Sequence, residues 1–375
     1  MSLFSVLFGK KKNEVAAVKI TTSIPTNTTT EASPSFHLRG KPDSNGLYPS
    51  ELVMLAVAER YKTTETNFSN YFLQKYEIAN APKMLKSLHS RGFLEIGSPV
   101  DMLPSLKVPE LKELASAIGV TVKGKKADII ATLSEVDSEM LANFIKDRKW
   151  KLTSEGQTAL HTNPYIQYFL DTHSYDLASV GITIWSVNQE YLTAPNQFYR
   201  DVIYRQLNAR MNEAALAFQK NPASGNADTH QYCECQRLMG LFIEEEGKSY
   251  VNASDMYFRY LYNWINVHAG RQLLVGYKLF SNDKAYQKEL IGRYYNDIQL
   301  YPFQRTELLR LIDELGIDND AVKNALITSF KRADVSGIMT EKEAADFILY
   351  ELTGETEKAQ NLAEKLAKNA VKRIK

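Results

Sequence analysis

LKVPELKELASAIGVTVKGKKADIIATL, Leu106 to Leu133, is the stretch of this chain that says most about fold and function. Leu111, Leu114 and Ile118 recur at helical spacing, and Ile129, Ile130 and Leu133 do so again. Between them Gly119-Val-Thr-Val-Lys-Gly-Lys-Lys126 forms a basic turn that leads into the second helix. The spacing predicts two short helices around a tight glycine-containing connection. A helix start leaves N–H groups without intrahelical partners and carries partial positive charge, so it suits phosphate. Lys123, Gly124, Lys125 and Lys126 gather at that start, Lys107 lies in the lead-in to the first helix, and Lys112 is on it. These six are candidate nucleic-acid contacts.

The residues Leu106-Lys-Val108, Leu111-Lys-Glu-Leu114, Ile118-Gly-Val120, Gly124-Lys-Lys126, Asp128-Ile-Ile130 and Leu133 together resemble a SAP module. That resemblance covers a small part of the chain and implies a helix–extended loop–helix fold that mostly binds DNA. As a whole the chain is similar to uncharacterised SAP-containing proteins of Gram-positive bacteria and their phages. From Ser105 to Glu135 five lysines face four acidic residues, so DNA binding by this segment alone should be weak and strongly salt-dependent. The plain alternative is a helical hairpin with a solvated basic turn.

Upstream, Tyr48 to Ile96 reads as three helices and a strand. Ser50 is an N-cap candidate for the first helix, which carries Leu52, Val53, Leu55 and Ala56. Phe68, Tyr71, Phe72 and Tyr76 mark the second. Asn80 caps the third, Pro82 lies in its first turn, and Gly92 ends it. Phe93-Leu-Glu-Ile96 is strand-like, and so is Lys149-Trp-Lys-Leu152, which leads into a capped helix at Thr153. This order resembles a winged-helix domain with the SAP-like module, 105–135, inserted in its wing. An insertion at a hairpin tip is tolerated because loop-closure entropy grows slowly with length. Two unrelated helical units in tandem are the alternative. In the winged-helix reading the third helix is the recognition helix, and Lys83, Lys86 and Arg91 are its candidate DNA contacts. Solvated lysines on a protein-contact unit are the bland alternative.

Residues 1–35 should be a disordered tail and linker: an apolar MSLFSVLF, three lysines, then a Thr/Ser-rich stretch. The tail does not read as a signal peptide, whose charge comes first and whose apolar core is longer. The winged-helix-like domain then spans 36–163. Sixteen of the 21 tyrosines fall between Tyr165 and Tyr301, so 164–338 is expected to be a separate aromatic-rich helical domain. It would serve assembly, an unknown protein partner or homo-oligomerisation. Lys220 to Asp228 reads as a loop. Residues 339–375 form a helical extension, opened by a capping box at Thr340-Glu-Lys-Glu343. Its last helix places Leu362, Leu366, Ala370 and Ile374 four apart among six basic and two acidic residues. That helix could lie on DNA, a membrane surface or a partner, or pack on its own domain. The fold class is therefore mainly α.

The formal net charge of +1 argues against a protein that coats nucleic acid, although local patches can act. No segment approaches the length of a membrane span. The two cysteines, Cys233 and Cys235, are too few for a disulfide framework, so reduced thiols in the cytoplasm are the default. They stand in helical context with His230 nearby, where positions i and i+2 diverge, so no metal is expected. Glu246-Gly-Lys248, with Asp228 upstream, has the E-x-K form of metal-dependent nucleases, but that pattern is common by chance. The expectation is a non-enzymatic DNA-binding protein without cofactor. A protein-interaction scaffold is the alternative, and a nuclease a distant third.

Overall fold

The computed structural model describes residues 38–171, 174–194, 197–220, 226–247, 249–333 and 337–373. The expected tail and linker over 1–35 lie outside the described residues. The first part comprises α1 (Pro49–Val57), α2 (Asn70–Tyr76), α3 (Ala81–Ser90) and β1 (Leu94–Ile96). Three helices follow, α4 (Val108–Ala117), α5 (Lys126–Ser134) and α6 (Ser138–Phe144), before β2 (Trp150–Leu152) and α7 (Ser154–Thr162). The remainder is helical: α8 (Tyr165–Leu170), α9 (Ser174–Ser179), α10 (Ile184–Tyr191), α11 (Tyr199–Lys220), α12 (Asn226–Gly247) and α13 (Tyr250–Tyr262). It ends with α14 (Ala269–Leu279), α15 (Lys284–Ile298), α16 (Pro302–Leu315), α17 (Asn319–Phe330), α18 (Glu341–Thr353) and α19 (Thr356–Lys372). The chain is mainly α, and no described helix is long and apolar enough to cross a membrane.

Local signals set several boundaries. Asn80 accepts from the Lys83 amide at the start of α3, and Thr153 accepts from the Gly156 amide at the start of α7. Thr340 and Glu343 form the capping box of α18. Ser50 departs from expectation. The N-cap of α1 is Tyr48, and Ser50 lies inside the helix, where its hydroxyl donates to the Tyr76 carbonyl 2.9 Å away. Phe68 precedes α2 and packs against Tyr61 and Phe72 instead of extending the helix.

β1 and β2 pair antiparallel, with Leu94 opposite Leu152, Glu95 opposite Lys151 and Ile96 opposite Trp150. Residues 97–149 therefore lie between two bonded strands. The base of this excursion is closed where the Gly97 amide donates to the Lys149 carbonyl at 2.8 Å. A third segment joins the far side of β2. The Thr63 amide donates to Arg148, and the Trp150 amide donates to Tyr61.

Residues 39–375 form one compact unit. A single apolar cluster runs from Cys233 to Val371 and takes in Met339, Ala344, Phe347 and Ile348 of the expected C-terminal extension. The face of α19 carrying Ala359, Ala363, Leu366, Ala367 and Val371 is buried in it, Ala370 is buried on the same helix, and its basic residues point outward. This helix packs on its own chain. Ile374, the last member of the expected stripe, lies outside the described residues.

The tyrosine-rich composition has a structural use here. Rings fill the core while hydroxyls satisfy buried polar groups. Tyr257 donates to the Gln304 carbonyl, Tyr294 to the Ile265 carbonyl, and Gln304 donates to the Tyr260 hydroxyl. A π-helical turn over Asn263–His268 joins α13 to α14. From it buried Asn266 clamps the Met339 backbone, donating to its carbonyl at 2.9 Å and accepting from its amide at 2.7 Å. A Cβ at Gly337 would lie 2.3 Å from the Asn266 oxygen, so only glycine passes there. Asn266→Ala strands both backbone groups, and equilibrium denaturation should show a loss of about 3 kcal/mol.

His268 ends the same turn. Gln272 Nε2 stands 3.0 Å from its Nε2 and can only donate, so Nδ1 carries the proton toward Thr229 Oγ1 at 2.9 Å. Burial, with His230 beside it, lowers His268 to about 4. The unfolded histidine titrates near ~6.5, so between these values the unfolded state binds more protons. The stability from neutral His268 is fully present above about pH 6.5 and is lost as pH falls through about 4. Its size is on the order of 2 kcal/mol. Unfolding free energies measured from pH 7 to 4 should fall less steeply in His268→Gln than in wild type.

Candidate nucleic-acid interface

The stretch between the paired strands has a core of its own. Met102 and Leu103, from a 3-10 turn over Val100–Ser105, meet Leu111, Leu114 and Ala115 of α4 and Ile129 and Leu133 of α5. Leu141 of α6 and nearby Ile145 complete it, with Ile118 and Ile130 partly buried at its edge. The two expected helices are present at the expected positions. α6 is a third helix beyond the two expected, and its sequence signals are Asp137, which accepts from the Glu139 amide, and the Leu141/Ile145 spacing.

Lys107, Lys112, Lys123, Gly124, Lys125 and Lys126 are all exposed. Lys107 is the N-cap of α4 and Lys125 that of α5. Both helix starts are built the same way. The Lys107 amide donates to Glu110 Oε2 at 2.5 Å, and the Lys125 amide donates to Asp128 Oδ2 at 2.7 Å. An acid three residues into each helix thus takes up the capping amide and offsets the positive helix end. One amide at each helix start is thus taken up by the chain's own acid, and an external anion there would meet that carboxylate as well. What projects outward is the lysine side chains. Lys126 is partly committed, since its ammonium donates to the Pro104 carbonyl at 2.8 Å and ties the basic turn to the entry of α4.

Gly124 lies in the basic turn, directly before the N-cap of α5. Its φ is +93°, and an added Cβ would sit 2.4 Å from Asp128 Oδ2. The space left by the missing side chain is occupied by Asp128.

Lys83, Lys86 and Arg91 belong to α3 and its C-cap, outside the module's core. Lys83 and Lys86 are exposed on the face opposite buried Met84, Leu85 and Leu88. Arg91 is committed to the fold: it donates to buried Glu51 at 2.5 Å and to the Gly46 carbonyl at 2.9 Å, with its guanidinium over Phe93. Its charge is neutralised by a buried partner.

The residues that bear on other chemistry are distributed as follows. Cys233 and Cys235 are buried free thiols, and burial raises both, Cys235 to about 12. Among the described residues no group of three or more His, Cys, Asp or Glu is placed to hold a metal. Glu246 pairs with Arg200 at 2.6 Å, and Glu244 makes a two-pronged pair with Arg310 at 2.6 and 2.5 Å. Lys248 and the Asp228 side chain lie outside the described residues.

A SAP domain family model matches residues 102–135, which coincides with the 3-10 turn, α4, the basic turn and α5. SAP domains are in general DNA-binding modules. Comparison with curated proteins and with solved structures returned no match.

Gly124→Ala should loosen the turn, because alanine resists the positive φ and displaces Asp128 from the Lys125 amide. The two effects together should cost about 1–3 kcal/mol locally. Hydrogen exchange should show faster amide exchange in 120–130 and little change in α13–α18.

Proposed function

We propose that this chain is a non-enzymatic DNA-binding protein in which the SAP module makes contacts to the phosphate backbone through Lys107, Lys112, Lys123 and Lys125. The observation that carries this is the family match at 102–135, together with the exposure of those lysines on one small folded unit. The order α1, an edge segment at 61–63, α2, α3, β1, β2 supports a winged-helix-like frame with the module inserted between its strands. In that frame α3 is the recognition helix, and exposed Lys83 and Lys86 add contacts. Arg91 steadies α3 from behind. The helical remainder would serve assembly or a protein partner, in a cytoplasmic setting where Cys233 and Cys235 stay reduced.

One observation favours the second reading, a protein-interaction scaffold: four acids nearly balance the five lysines of the module, and two of them cap its helix starts. Binding to random duplex DNA across a salt series separates the two. Wild type should bind at low salt with affinity falling steeply as salt rises. Lys112→Ala/Lys123→Ala/Lys125→Ala, which spares Lys126 and its bond to Pro104, should lose roughly ten-fold or more in affinity. Its salt slope should be shallower by about two to three. No retention of wild type at the lowest salt overturns the DNA reading in favour of the scaffold.

A further inference from the structure

We infer that Asp128 is an affinity-setting residue of the basic turn, a fixed counter-charge that keeps DNA-backbone binding by this module weak. This rests on the DNA-binding reading above. Three observations place the charge. Its carboxylate accepts from the Lys125 amide at 2.7 Å, so it is held against the turn. It fills the notch over Gly124, between Lys123 and Lys125 in the chain. The lysines around it and Asp128 itself are exposed, so a phosphate drawn to Lys123 or Lys125 approaches the carboxylate as well. Like charges at such range repel through water, and each phosphate contact at this turn is weakened accordingly. Gly124 is then the residue that admits the carboxylate, which gives its place in the turn an electrostatic use as well as a conformational one.

Glu135 provides the contrast. It is the C-cap of α5, at the far end of the helix from the lysine turn, and it carries the same formal charge. A net-charge effect would be equal at the two positions, whereas a positional effect belongs to Asp128 alone.

The test compares full-length wild type, Asp128→Asn, Asp128→Ser and Glu135→Gln on random duplex DNA across a salt series, with thermal unfolding of each. Asparagine and serine keep an acceptor for the Lys125 amide while removing the charge. Having two neutral replacements guards against one that folds poorly. Asp128→Asn or Asp128→Ser should bind roughly two- to five-fold tighter at ~0.1 M salt, with a steeper salt slope, and Glu135→Gln should stay near wild type. Unchanged or weaker binding by a folded Asp128 variant overturns the inference, and so does an equal gain in Glu135→Gln. If neither wild type nor any variant binds at the lowest salt, the DNA reading itself falls and the inference falls with it. Binding by wild type with no gain at Asp128 overturns the inference alone.

Discussion

The pairing of Leu94–Ile96 with Trp150–Leu152 is the constraint on which the N-terminal half depends. Three residues a side make a poor sheet, and closing a loop over 97–149 costs on the order of 3–4 kcal/mol if that loop is a free chain. It is not a free chain. The intervening residues fold around Leu111, Leu114, Ile129, Leu133 and Leu141, all buried, so most of the ordering is offset within the module. Closure then needs only the short segments at its base, where Gly97 bonds Lys149. Buried Leu94 and Trp150, with Tyr61–Thr63 across the other side of β2, supply the rest. A weak sheet can hold a large insertion when the insertion is already folded.

That arrangement bears on electrostatics. A module anchored at both ends presents its lysines from a fixed base, and the acid within each helix start is as fixed as the lysines. Exposed charges separated by more than roughly 8 Å are screened at physiological salt, so near neighbours decide what a phosphate meets. Formal net charge is therefore a poor guide to this surface. The local pattern of Lys123, Lys125 and Asp128 is the better one, and it explains how a chain of net charge +1 can carry a basic turn without being a strongly basic protein.

The sequence was most legible where the deciding interactions are short in range. Asn80, Thr153 and Thr340 act on amides three residues away, so their caps could be read directly. The apolar spacing of α4 and α5 and both strands could be read in the same way. Arg91 could not, because what fixes it is Glu51, forty residues earlier, and lysine or arginine looks the same in a sequence whether solvated or paired. Ser50 looked like a cap for a similar reason: its true partner is the distant Tyr76 carbonyl. The short segment at Tyr61–Thr63 has too few residues to show alternation. The shared core of 233–371 was hidden because tyrosine enrichment ends near Tyr301, while the apolar faces of α18 and α19 continue the same cluster with aliphatic and small residues.

The C-terminal helix shows why charge along a helix needs its packing partner before it is given a role. An amphipathic helix with a basic face is compatible with DNA, lipid or plain solvation, and the moment of its apolar residues is the same in each case. In α19 the buried stripe is largely alanine, with Ala359, Ala363, Ala367 and Ala370 allowing close approach to its neighbours. Small residues at that interface let α19 sit close against α15. The outward lysines are then what remains on the solvent side of a packed helix. The same logic separates Lys83 and Lys86 from Arg91 on α3: one face of a short helix is solvent, the other is fold, and only the structure says which side a cation took.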